Sequence, residues 1–275
     1  MTSPHIEVLG PFLRWAGGKR WLVQNYGQTI FPQTFRVYIE PFFGSGAVFF
    51  YLRPKKALLS DTNADLIQTY RALRENPAEV FRLLKRHAGK HSTEYYYEMR
   101  TRLTRTPFEE AAKFIYLNRT CWNGLYRVNS KGEFNVPKGT RSSVVFPTDD
   151  FTGIAQTLKK ASLLALDFEH SINKATTGDL LFVDPPYTVK HNHNGFVRYN
   201  EVIFSWRDQE RLARSLLEAK RRGVQIVSTN ADHASVRNLY SKNFEICSIS
   251  RRTSLAADSR ARGVASELLI LANCH

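Results

Sequence analysis

Hydrophobic residues gather in short, nearly unbroken runs that end in acidic or small residues, at 37–40, 57–61, 163–167, 180–184, 224–229 and 267–272. Runs of this length suit strands of a parallel sheet that is covered on both faces. Between several of them the pattern changes to a helical period. Residues 64–74 place Leu66, Ile67, Tyr70 and Leu73 on one stripe. Residues 206–221 do the same with Leu212, Leu216 and Leu217, and Gly223 supplies a stop. Strand-then-helix alternation predicts an α/β fold built on an open, doubly wound sheet.

The alternation fails in the middle. From 64 to 151 there are helical patterns, at 77–87 and 109–117, but no buried strand. Residues 118–147 are rich in Gly, Asn, Pro, Arg and Lys. The pattern predicts a mainly helical module inserted between the second and third strands. It divides the chain into 1–63, 64–151 and 152–275, the outer two parts forming one domain.

Charge narrows the choice of partner. There are 39 Lys and Arg against 25 Asp and Glu, a net +14. Such a surplus bears on partners rather than on fold, and a nucleic acid is the expected polyanion, ahead of an anionic membrane. No apolar run reaches the length of a membrane span. Residues 1–10 lack a basic stretch followed by an apolar one, so no secretory signal is expected. Cys121, Cys247 and Cys274 form neither a disulfide framework nor a zinc pattern, which fits a reducing cytoplasm.

The strongest chemical signal is Asp184-Pro185-Pro186-Tyr187, directly after the apolar run 180–183. The carboxyl end of a sheet strand is where α/β folds bind ligands. An aromatic amine is a poor nucleophile because its lone pair is delocalised into the ring. A carboxylate and a main-chain carbonyl that accept its two hydrogens push the nitrogen toward a tetrahedral, nucleophilic geometry. Asp184 supplies the carboxylate. Pro185 and Pro186 stiffen the turn and remove backbone donors, which leaves carbonyls to accept. Tyr187 offers a ring on which a base can stack. A proline-rich turn capped by Asp is the bland alternative.

Three further stretches bear on ligands. Glu40-Pro41-Phe42-Phe43-Gly44-Ser45-Gly46 leads from a strand into the apolar helix 47–52, and Gly44 and Gly46 permit close backbone approach at a helix start. It is neither a full dinucleotide fingerprint nor a P-loop. Asp61 ends the next strand, where an acidic residue commonly holds ribose hydroxyls. Together they suggest a nucleoside cofactor with no required pyrophosphate. In 12–19, Gly17 and Gly18 bend the chain between Trp15 and Lys19. Residues 117–138 interleave Arg119, Arg127, Lys131 and Lys138 with Trp122, Asn123, Gly124 and Asn135, against the single acid Glu133. That mixture fits phosphate contacts with base-edge readout, or a solvated basic loop.

These stretches, in this order, resemble the Dam-type DNA adenine methyltransferases. The resemblance rests on 13–19, 40–46 with Asp61, 118–139 and 184–187, and 253–271 is similar as well. It implies a Rossmann-like methyltransferase sheet with an inserted target-recognition domain, S-adenosylmethionine as cofactor, and double-stranded DNA as partner. Carried over residue by residue, Trp15, Lys19, Phe42, Gly44, Gly46, Asp61, Phe168 and Asp184 would bind the cofactor, Lys19 through the methionine carboxylate. Asp184 and Tyr187 would hold the flipped adenine. Arg14, Arg119, Trp122, Asn123, Arg127, Asn135 and Lys138 would meet DNA, with Trp122 standing where a tyrosine is more usual. The match around Arg14, Asn123, Arg127 and Asn135 implies methylation within GATC.

The implied chemistry is a direct transfer. The sulfonium methyl is already activated, so neither a metal nor a covalent intermediate is required; the expected oligomeric state is a monomer. The target amine is unreachable inside a duplex, so the base must be flipped out. Residues 189–199, with His191 and His193, are expected to form a loop that closes over it; two histidines alone make an incomplete metal site. Competing readings are methylation of the cytosine amine, where Ser usually precedes the two prolines, and a catalytically silent DNA-binding protein of the same fold. Methylation at cytosine carbon requires a cysteine, typically after a proline, and none of the three cysteines follows one.

Overall fold

Helix starts are written into this sequence by side chains that accept the first unpaired backbone N–H groups. The computed structural model describes residues 9–129, 132–189, 204–252 and 264–274, and several of its helices open on such a side chain. Asn63, Asn76, Ser92, Thr106, Asp150 and Asp167 each accept from a backbone N–H in the first turn of the helix they precede. Pro77 and Pro107 follow two of these caps, where a missing N–H costs nothing. Ser205 and Asp208 form a reciprocal capping box.

The described elements are α1 (Arg20–Ile30), β1 (Tyr38–Glu40), α2 (Ala47–Leu52), β2 (Ala57–Asp61), α3 (Ala64–Glu75), α4 (Pro77–Lys90), α5 (Thr93–Thr101), α6 (Pro107–Thr120), α7 (Phe151–Leu158), β3 (Ala161–Ala165), α8 (Phe168–Asn173), β4 (Leu180–Val183), α9 (Trp206–Arg221), β5 (Gln225–Ala231), α10 (Ala234–Tyr240), β6 (Glu245–Arg252) and β7 (Val264–Ala272). The strands form a seven-stranded sheet in the order β3-β2-β1-β4-β5-β7-β6. β1 pairs in parallel with β2 and β4, and β4 with β5. β7 runs antiparallel between β5 and β6. This mixed α/β arrangement is consistent with a Rossmann-like methyltransferase sheet.

Two expectations need correction. The third strand is Ala161–Ala165, two residues earlier than the apolar run suggests, and Asp167 is the cap of α8 rather than a strand end. β6 has no counterpart among the expected strands. It mixes exposed Glu245, Cys247 and Ser248 with the more buried Ile246 and Ile249, so it carries no continuous apolar run. Among the described residues, no helix is long and apolar enough to cross a membrane.

The chain divides into two compact units. One comprises Met1–Arg20, Phe43–Lys55 and Asp61–Ala165. Its core joins Phe12, Phe43 and Tyr70, with ring centroids 5.3 Å apart for Phe12–Tyr70 and 4.6 Å for Phe43–Tyr70. Helices α3 and α4 both pack on α6. The basic surplus concentrates here, with 22 Lys and Arg against 12 Asp and Glu. The other unit comprises Trp21–Phe42, Lys56–Ser60 and Leu166–His275. Its core joins Ile39, Leu181, Val183, Ile226, Leu268 and Ile270 from the strands to Leu212 and Leu216 of α9.

Candidate active site and nucleic-acid interface

The Asp184–Tyr187 turn begins where β4 ends. β4 is buried along its whole length and its Val183 pairs with Ser228 of β5. That register brings the next residue of β5, Thr229, to Asp184, and the Thr229 hydroxyl donates to Asp184 Oδ1 at 2.8 Å. At the other end of the turn, the Tyr187 hydroxyl donates to Glu267 Oε2 at 2.6 Å. Burial first, then the Asp184 and Glu267 carboxylates, push the Tyr187 phenol well above its ordinary value. It therefore stays a neutral donor. Neither Thr229 nor Glu267 is among the residues expected from sequence.

Phe168 opens α8 and is buried. Its ring stacks on Phe42, centroids 5.4 Å apart and planes 23° from parallel. Phe204 packs against both. The Arg211 guanidinium lies 4.3 Å from the Phe168 centroid and pairs with Asp167, Glu169 and Asp208. Phe42 and Phe168, both expected at the cofactor, are thus brought together, on the same unit as Asp184 and Tyr187.

The other unit holds the glycine turn. Gly44 N donates to Asp61 Oδ2 at 3.0 Å, and Asn63 N donates to Oδ1 at 3.0 Å. Burial raises the Asp61 carboxyl above its ordinary value, and the backbone donors of Asn63, Gly44 and Thr62 oppose that rise. Gly44 has φ +47, and a Cβ there would stand 2.8 Å from the Trp15 ring. Gly46 has φ +68, and a Cβ there would stand 2.7 Å from the Phe43 ring. Both positions need glycine, but the atoms filling that space belong to aromatic side chains of this chain. The Trp15 ring in turn stacks on Tyr126 and Phe114, centroids 6.0 and 6.4 Å away. Lys19 is buried and its Nζ donates to Gly17 O at 2.9 Å.

Asn118 organises the expected DNA-contacting region. Buried in α6, it accepts from Arg14 N at 2.8 Å and donates to Arg14 O at 2.7 Å and to Gly124 O at 3.3 Å. One amide thereby fixes two segments that meet 104 residues apart in sequence. Gly124, at φ +66, lies so close that a Cβ would stand 2.6 Å from Arg14 Cβ. From 121 to 139 the chain folds back on itself. Trp122 N donates to Pro137 O, Asn135 N to Arg127 O, and Asn129 N to Glu133 O. Exposed Arg127 sits on this ribbon with its Nε 2.8 Å from Asn135 Oδ1. Trp122 and Asn123 are exposed and Lys138 half-buried.

Arg119 does not fit the expected role. It is fully buried, donating to both oxygens of Asp149, at 2.6 and 2.7 Å, and to the carbonyls of Phe12 and Val144. Spacing along α6 points it inward, and Asp149, thirty residues on, is invisible to a local charge count. Lys131, and the loop residues 190–199 with His191 and His193, lie outside the described residues.

Residues 15–255 match the family described as D12 class N6 adenine-specific DNA methyltransferase. The chain is 35% identical over 271 residues to a type II methyltransferase of Lactococcus lactis subsp. cremoris, covering 95% of each chain. It is 29% identical over 264 residues to the DNA adenine methylase of Escherichia coli K12, covering 94% of each. A DNA N-6-adenine-methyltransferase of Escherichia phage P1 is 34% identical over 273 residues, which span 98% of this chain and 36% of that protein.

Proposed function

The chain belongs to the D12 class of N6 adenine-specific DNA methyltransferases, and we propose that it moves a methyl group from S-adenosylmethionine to the exocyclic amine of adenine within GATC in duplex DNA. The observation that carries this reading is the fixed carboxylate at the end of β4. Asp184 Oδ1 is held by Thr229, and the two prolines that follow donate no backbone hydrogen bond. Asp184 and a carbonyl of the Pro185–Pro186 turn accept the two amine hydrogens, and the nitrogen lone pair turns toward the methyl group. Tyr187 stacks on the flipped base.

The residues present suit the cofactor. Asp61 is oriented by three backbone donors, and a carboxylate offers about four lone-pair positions, so a ribose hydroxyl finds an acceptor that is already aimed. Phe42 and Phe168 supply an apolar wall for an adenine ring, and Lys19 a cation for the methionine carboxylate. When bound, S-adenosylmethionine supplies a methyl group already activated by its sulfonium, so these residues need only bind and orient. Residues 64–151 act as the target-recognition domain on catalytic segments 1–63 and 152–275. GATC is supported by the resemblance at Asn123, Arg127, Asn135 and Arg14. The relatives carry both type II methyltransferase and DNA adenine methylase names.

Methylation of plasmid DNA in vitro, followed by single-molecule mapping of modified bases, tests the reading. The expected result is N6-methyladenine in GATC alone, lost by several orders of magnitude in Asp184→Ala. Modification of another adenine-containing site overturns GATC. Modified cytosine, or an unaffected Asp184→Ala, overturns the assignment of the site.

A further inference from the structure

Glu267 is only 6% exposed, and burying a carboxylate is expensive unless it is well paired. It stands on β7, and the antiparallel register sets it opposite Ala231 of β5, two residues beyond Thr229. Its Oε2 takes the Tyr187 hydroxyl at 2.6 Å, while Thr229 takes the other end of the tetrapeptide through Asp184. The turn is therefore gripped at its first residue by Thr229 of β5 and at its last by Glu267 of β7, with Thr229 also bonding the Tyr187 hydroxyl. A tyrosine ring left to itself pivots about two side-chain bonds. Anchoring its far end removes that freedom.

We propose that Glu267 is a positioning residue, whose carboxylate tethers the Tyr187 hydroxyl and so sets the plane of the ring against which the flipped adenine stacks. The inference rests on Tyr187 being the stacking platform of the proposed methyl transfer. It makes a demand that stacking alone does not: the tyrosine hydroxyl matters, so phenylalanine at 187 is not an innocent replacement. It also makes the acceptor at 267, rather than its negative charge, the essential feature. A small angular error at the reacting nitrogen is enough to slow the step.

The test uses the full chain with Glu267→Leu, Glu267→Gln, Tyr187→Phe and the Glu267→Leu/Tyr187→Phe double variant. Single-turnover methyl transfer is measured on a duplex that the wild type methylates. A second readout is the fluorescence of 2-aminopurine at the target base, which is quenched by stacking. Losing a hydrogen bond to a charged group should slow Glu267→Leu and Tyr187→Phe each by roughly 10- to 100-fold. Their 2-aminopurine signal should be brighter than wild type, with KM for DNA little changed. Glu267→Gln keeps an acceptor whose neutral bond is roughly half as strong, so it should slow transfer by only about 3- to 10-fold. The double variant should be no slower than the slower single variant. Wild-type rate and signal in Glu267→Leu, losses that multiply in the double variant, or a Glu267→Gln as slow as Glu267→Leu would each overturn the tether. If Glu267→Leu does not fold, Tyr187→Phe decides, and a wild-type rate and signal there overturn it. A wild type that does not methylate adenine, or an active Asp184→Ala, would instead sink the underlying reading.

Discussion

Replacing Arg119 with methionine should weaken the fold and leave the encounter with DNA unchanged. In sequence Arg119 stands among cations expected at phosphates. In the structure its side chain is 0% exposed and Asp149 is 3% exposed. The guanidinium makes two bonds to Asp149, two to Phe12 O and one to Val144 O. Methionine fills much of the volume but strands a buried carboxylate and two buried carbonyls. Breaking a buried pair from one side costs about 3–5 kcal/mol. For a chain near this length each kcal/mol shifts Tm by about 2–4 °C, so a fall of roughly 6–20 °C is expected. Arg119→Met/Asp149→Leu should recover part of it, because the uncompensated charge is gone. Thermal unfolding followed by circular dichroism measures the first effect. DNA titrations across salt concentrations, at a temperature where the variant is folded, measure the second. A lost phosphate contact would reduce the log–log salt slope by about 0.9; the structure requires no change. An unaltered Tm together with a shallower slope would refute the buried role.

Asp61→Ala should weaken S-adenosylmethionine binding, read by calorimetry, by about 1.5–3 kcal/mol, the worth of a hydrogen bond to a charged group; unchanged affinity would make Asp61 a purely structural support for Gly44 and Asn63. Arg127→Ala should relax selectivity at one guanine of the recognition sequence by roughly 10- to 100-fold, since a bidentate guanine contact discriminates by about 1–3 kcal/mol. Lys138→Ala should instead weaken all DNA sites alike and flatten the salt dependence; the opposite pattern in the pair would exchange their roles. Burial, then the charges of Arg102, Arg86 and Lys90, hold His87 down at about 4. Its depressed folded value means that stability is complete above its ordinary value of 6.5 and falls as pH drops from there toward 4, because the unfolded chain takes the proton first. His87→Phe should lose less stability than wild type across that window in urea titrations, and an identical loss would refute the assignment.

Much of the scaffold was legible because its signals are local. The stripe of 64–74 became α3 and that of 206–221 became α9, and each opens on a side-chain cap. Strands β1, β2, β4 and β5 lie at the interior of the sheet and carry the continuous apolar runs that give them away. The edge strands were harder. β6 is exposed at Glu245, Cys247, Ser248 and Ser250, and β3 begins two residues before its apolar run with Ser162 exposed. Neither fits a template of uninterrupted hydrophobicity.

The site divides along the same line between local and distant information. Asp184-Pro185-Pro186-Tyr187 is readable because a short rigid turn at a strand end carries its own chemistry. Its supports are not, since Thr229 and Glu267 lie 45 and 80 residues away from their partners and are an ordinary Thr and Glu within apolar strands. Only the register of β4 with β5, and of β5 with β7, makes them neighbours of the turn. The glycines carry the converse lesson. Gly44 and Gly46 look like places cleared for a ligand, and the positive φ at each does demand glycine. Yet the space a Cβ would take is filled by Trp15 and Phe43. Gly44 thereby locks the Trp15 ring, itself stacked on Phe114 and Tyr126, beside the backbone N–H that holds Asp61. A larger residue at 44 would therefore disturb Asp61 and Trp15 together, so loss of cofactor binding on Gly44→Ala would report the displaced carboxylate and ring rather than a direct clash with the ligand.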